Sequence, residues 1–112
     1  MTTIVANSQV TTAITVFTVA PENQQRLVDL LVRAAREVIQ NRPGFISINI
    51  HKSLDRTHVL SYSQWASRQA FDEVLQHATV IPHVQAILKI ASIEPNFYEV
   101  VAVIHSEKET AG

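Results

Sequence analysis

The stretch "FISINIHKSLDRTHVLSYSQW", residues 45–65, decides the fold. Two β-rich runs flank Asp55, Arg56 and Thr57, a short polar turn. The first run, 45–54, alternates Ile46, Ile48 and Ile50 against Phe45, Ser47, Asn49 and His51, so it reads as a strand with one greasy and one mixed face. The second run, 58–65, returns as the antiparallel partner and ends on the only tryptophan of the chain, Trp65. Within it Ser61, Ser63 and Trp65 share one face by the period of two. The hairpin register stays open at this level, and with it the face of His51. A one-residue slip would carry that ring from one side of the sheet to the other.

On either side of the hairpin the period changes. Upstream, "AITVFTV" at 13–19 is β-branched and aromatic, which predicts a strand. Pro21 fits the first turn of a helix, and Leu27, Leu30, Leu31, Ala34, Ala35, Val38 and Ile39 continue it at spacings of three and four. "NRPG" at 41–44 stops that helix. Downstream, Ser67 is the expected N-cap of a helix holding Phe71, Val74 and Leu75. A break at His77–Thr79 precedes a second helical stretch with Val84, Ile87, Leu88 and Ala91 on one face. Pro95 is expected to end that stretch, and "FYEVVAVIH" at 97–105 to form the last strand. The order β–α–β–β–α–β is the ferredoxin-like split βαβ arrangement, an α+β fold with helices on one face of a four-stranded antiparallel sheet. Apolar side chains on both strand faces then leave one face uncovered, and a homodimer packed sheet against sheet would bury it.

Composition bounds the function. The chain has 112 residues, 46% of them hydrophobic and 17% charged, with a net charge of −1. That fits a single domain over 1–112, divided into an N-terminal arm at 1–12, a core at 13–105 and a solvated tail at 106–112. No basic stripe supports a nucleic-acid or membrane surface. There is no cysteine, hence no thiol chemistry and no disulfide. With no signal-peptide pattern and no long apolar run, a soluble cytoplasmic protein is expected. The five histidines lack metal-ligand spacing, so no metal is expected. Glu99, inside the expected last strand, reads as an edge or interface ion pair.

Trp65 either packs a core or walls a pocket. Two small hydroxyls beside an indole fill space poorly, and an aromatic wall with a few placed polar groups suits a flat ligand.

At these residues the chain resembles the antibiotic biosynthesis monooxygenase family. The resemblance rests on "RPGFISINIHKSLDRTHVLSYSQWASRQAFDEVL", with "ITVFTV" before it and "PH" and "EPNFYEVV" after it. It implies a dimeric α+β barrel of ferredoxin-like protomers. It also implies cofactor-independent oxidation of a phenolic, hydroquinone or anthrone-type aromatic substrate by O₂. Carried over by position, the family's active-site Trp falls on Trp65 and its strand His on His51. Family asparagines are replaced by Ser61 and Thr15, a tyrosine by Phe71 and a helix arginine by Gln85. The haem-degrading relatives use a helix His, near which His83 lies, but have a Trp where this chain has Val74. The expected catalytic set is therefore His51, Ser61, Trp65 and His83. Thr15, Phe45, Asn49, Ser63, Phe71 and Gln85 are expected to bind substrate. The alternative is a dimeric small-molecule binding protein that has lost the oxygenase amides and does no chemistry.

Overall fold

A computed structural model describes residues 2–6 and 9–107. Most of the expected solvated tail lies outside the described residues. Strands β1 (Thr11–Val19), β2 (Phe45–Lys52), β3 (His58–Trp65) and β4 (Ala91–Tyr98) form one antiparallel sheet in the order β2-β3-β1-β4. Helices α1 (Gln24–Glu37), α2 (Arg68–Gln76) and α3 (Ile81–Leu88) supply the other layer of this ferredoxin-like α+β fold. Among the described residues no helix is long and apolar enough to cross a membrane.

Local chemistry sets the boundaries. Pro21 opens a short 3-10 turn that leads into α1, whose buried face is Leu27, Leu31, Ala34 and Ala35. Ser67 caps α2, its hydroxyl accepting from Ala70 N at 3.1 Å. Gly44, at φ +82°, immediately precedes β2; a Cβ there would collide with the Cβ of Ala70, so only glycine fits between the strand start and α2. The amide of buried Gln24 donates to the carbonyls of Ser53 (3.0 Å) and His58 (2.9 Å), tying the first turn of α1 to the hairpin.

The hairpin turn is held by Asp55. Its Oδ1 accepts from Ser53 Oγ (2.7 Å), Thr57 Oγ1 (2.7 Å) and Thr57 N (3.0 Å). The Ser53 bond, followed by the two from Thr57, lowers the carboxyl from 3.8 to about 2. A depressed folded pKa stabilises above the unfolded value and loses that contribution as pH falls through the folded one. The support from Asp55 is therefore complete above about 4 and disappears towards pH 2. Asp55→Asn should lower the melting temperature at neutral pH and flatten its dependence between pH 4 and 2. Parallel melting curves for the two proteins across that range would refute the assignment.

Three expectations need correction. The last strand is not 97–105 but Ala91–Tyr98: α3 stops at Leu88, and Ala91 already pairs with Val19. Pro95 does not end a helical region; it sits inside β4 opposite Thr15, where an edge strand tolerates the missing N–H. Glu99 accordingly follows the strand. Third, the strict alternation in β2 is broken by a bulge between Phe45 and Ser47. Phe45 therefore falls on the helix-facing side with Ile48 and Ile50, while Ser47, Asn49 and His51 point to the opposite face.

Candidate active site

The core is divided. One buried cluster gathers Ala13, Trp65, Ala70, Phe71, Val74 and Val80; the other gathers Phe17, Val19, Leu27, Leu31, Val59 and Ile87. Between them, sheet and helices enclose a cavity of about 170 Å³ that takes its walls from both clusters. This is below the roughly 300–1,000 Å³ of drug-sized ligand sites.

Alternation along β1 and β3 brings the polar groups in. Thr15 pairs directly with Ser61, and Ala13 with Ser63, so these side chains and Trp65 project from the helix-covered face. Thr15 and Ser61 are 7% and 6% exposed, both line the cavity, and neither hydroxyl has a hydrogen-bond partner among the described residues. Ser63 is already committed. Its hydroxyl accepts from Trp65 Nε1 (2.9 Å) and donates to the carbonyl of Ala13 (3.3 Å). Ser63 thus fixes the indole, while Thr15 and Ser61 keep a donor each for something else.

Trp65 is 3% exposed, yet it borders the cavity. Its ring meets Phe45 edge-on at 5.2 Å and Phe71 at 5.4 Å; Phe71 meets Phe97 at 5.0 Å, and the Arg68 guanidinium lies 4.0 Å from the centre of the Phe97 ring. The two cavity-lining rings, Trp65 and Phe71, are the middle of an aromatic row. On the far side, the half-buried His83 of α3 contributes the only titratable side chain of the lining.

Thr15, Ser61, Ser63, Trp65, Phe71 and His83 are brought together at this cavity. Phe45 supports Trp65 from behind and is not part of the lining. Three expected residues lie elsewhere. His51 pairs with Leu60 and is exposed on the helix-free face, because the hairpin turn pairs Lys52 with Val59 and so sets Ile50, not His51, opposite Ser61. Asn49 shares that face and donates to Thr2 Oγ1, holding the N-terminal arm against the sheet. Gln85 is exposed on α3, two positions past His83 and so turned away from the cavity. Sequence reading missed Leu31, Ile39, Val80 and Ile93 as lining residues. They are ordinary apolar positions, with no signal to separate them from sealed core.

The family model described as antibiotic biosynthesis monooxygenase matches residues 11–89. The chain belongs to that family. Among monooxygenase relatives, the tetracenomycin-F1 monooxygenase of Streptomyces glaucescens is 35% identical over 100 residues, covering 89% of each chain. The crystal structure of a monooxygenase from the gene ActVA-Orf6 of Streptomyces coelicolor, in complex with nanaomycin D, superposes with a TM-score of 0.74. It is 27% identical and covers 87% of this chain and 92% of that one. The cofactor-independent oxygenase SnoaB of Streptomyces nogalater shares the fold at a TM-score of 0.70 and 20% identity, over 91% of this chain and all of that one. In this monooxygenase-family chain the cavity between sheet and helices is the candidate active site. Among the described residues no cluster of three or more His, Asp or Glu side chains could hold a metal ion.

Proposed function

We propose that this protein is a homodimeric, cofactor-independent monooxygenase that oxidises an electron-rich phenolic, hydroquinone or anthrone-type ring with O₂. The observation that carries the reading is the facing pair Thr15 and Ser61. The hydroxyls of these two buried residues are free of protein hydrogen bonds among the described residues and look into a cavity otherwise lined mainly by apolar groups. Both open onto the cavity, which suits a ligand that brings oxygen atoms to them. The relative that holds nanaomycin D supports an aromatic, oxygen-bearing ligand.

In the proposed reaction the substrate itself is the reductant. His83 takes a proton from the ring hydroxyl or the activated methylene, as an imidazole can near neutral pH. The Thr15 and Ser61 hydroxyls donate to the resulting oxyanion, and Trp65 holds the ring flat. The anion gives electrons to O₂. One oxygen atom forms the new carbon–oxygen bond, and the other leaves as water with the two hydrogens lost from substrate. A phenol or an anthrone thus yields a quinone, one O₂ consumed per product. The small cavity favours a compact ring; a larger polycycle requires α2 and α3 to move outward.

Dimerisation is part of the proposal. The helix-free sheet face carries Ile14, Val16, Leu60 and Tyr62, which the N-terminal arm covers only in part. A second copy packed there completes the burial.

The test is oxygen uptake by protein treated with chelator, with simple anthrones and hydroquinones, while quinone formation is followed optically. Stoichiometric uptake and product should appear, and His83→Gln should slow turnover about 10²-fold, the usual contribution of a positioned proton acceptor. Ligand binding without any oxygen uptake would reject the oxygenase and leave the binding protein.

A further inference from the structure

Across the helix-covered face of the sheet, Ser61 of β3, Thr15 of β1 and Pro95 of β4 stand side by side in one cross-strand row. All three line the candidate active-site cavity. β4 is an edge strand, so the row runs from the buried hydroxyl pair to the border of the sheet. On the same face of β4, Pro95 lies between Ile93 and Phe97. Phe97 is covered by α2, its ring 5.0 Å from that of Phe71 and 4.0 Å from the Arg68 guanidinium. Ile93 packs against the cluster that holds Ile87 of α3. Both are half-buried, whereas Pro95 between them is exposed. The cavity therefore opens over Pro95, where neither helix covers the strand.

Leu75 marks the helix side of the opening. It follows Phe71 by one turn of α2 and lines the cavity, yet it is 43% exposed. Among the described residues, Leu75 and Pro95 are the only exposed members of the lining, and no Asp, Glu, Lys or Arg belongs to it. Size sets what must reach the opening. A dry cavity of about 150 Å³ holds one benzene ring, so the cavity of about 170 Å³ is filled by a single ring. Neighbouring strands are roughly 4.8 Å apart, which puts Pro95 about 10 Å from Ser61 along the row. A ring whose oxygen reaches Thr15 and Ser61 thus turns its opposite edge towards Pro95 and Leu75.

We infer that Leu75 and Pro95 form an apolar mouth that selects substrates carrying a second, uncharged ring fused to the one that reacts. The substrate enters oxygen first. Its reacting ring lies against Trp65, and its second ring is held between Leu75 and Pro95, in the gap where α2 and α3 part for a larger polycycle. Leu75 is the specificity-determining residue of this mouth. The inference rests on the substrate class proposed above and is independent of the reaction with O₂.

The test compares phenol with 1-naphthol, which differ by one fused ring. Calorimetry under argon reads binding without oxidation. The wild type should bind 1-naphthol the more tightly. Leu75→Ala should weaken 1-naphthol about tenfold, the scale of a lost apolar contact, and leave phenol unchanged, with circular dichroism checking the fold. The position of the mouth is tested separately. The chain has no cysteine, so a bulky maleimide added to Leu75→Cys reacts there alone. That plug should abolish the binding of both compounds. The same label on Glu73→Cys, exposed on the same helix and outside the lining, should leave binding intact. Equal losses for phenol and 1-naphthol in Leu75→Ala overturn the inference, as does normal binding in the plugged protein. A wild type that binds neither compound, or prefers phenol, also overturns it. Selective binding lost in Leu75→Ala, in a wild type that takes up no O₂, supports the mouth and rejects the oxygenase alone.

Discussion

Replacing Trp65 by alanine should cost about 3 kcal/mol of stability, the lower end of the range for large aromatic truncations in cores. The ring is buried, braced edge-on by Phe45 and Phe71, and hydrogen-bonded to Ser63. Each of these contacts is lost. The loss is held to the lower end because one side of the indole already borders the cavity, where there are no neighbouring atoms to lose. For a domain worth roughly 5–15 kcal/mol this is a large fraction, readable in urea unfolding. Trp65→Phe should cost less: it keeps an aromatic wall and gives up the Nε1 donor, while Ser63 keeps its bond to Ala13. Because Trp65 is the only tryptophan, a ring bound in the cavity should quench the intrinsic fluorescence directly. A wild-type protein whose emission is indifferent to every aromatic ligand, combined with a loss near 5 kcal/mol in the alanine variant, would mark Trp65 as a packing residue alone.

The largest kinetic effect is expected at Ser61. If its hydroxyl donates to the developing oxyanion, Ser61→Ala should reduce oxygen consumption by about 10² to 10³, the usual consequence of losing one such donor. Ser61→Asn should raise it instead, since an amide reaches further and matches the residue that the family resemblance places there. Thr15 stands directly opposite, so Thr15→Asn added to Ser61→Asn tests whether the pair acts as one unit, and its effects should not be additive. Two results would redirect the interpretation. Turnover that appears only after asparagine is restored means the natural protein has moved to another task. Equal turnover in the wild type, Ser61→Ala and Ser61→Asn removes the hydroxyl from the chemistry altogether.

Local patterns account for what could be read early. The 3.6-residue spacing of Leu27, Leu31 and Ala34, the cap at Ser67 and Pro21 at a helix start depend on neighbours within a turn or two, and each element formed where the pattern put it. Ser61, Ser63 and Trp65 share a face because alternation along one strand is a property of that strand. The failures have the opposite character. His51 and Asn49 left the expected site because the hairpin register sets Ile48 and Ile50 opposite Ser63 and Ser61, and alternation then sends Asn49 and His51 to the other face. The fourth strand was displaced because propensity favoured "VVAVIH", whereas pairing with β1 recruited the weaker "ASIEPNFY", proline included. The end of α3 at Leu88 brings that segment, and not the more β-prone one, alongside β1.

The sequence by itself determined the order of the elements, the α+β class and the strand face that carries the only indole, since all three follow from short-range periodicity and turn chemistry. Only the tertiary structure decided that Thr15 meets Ser61, that His83 shares their cavity and that His51 does not. Those are contacts between elements far apart in the chain, set by strand register and by how helices seat on the sheet, and no local pattern encodes them.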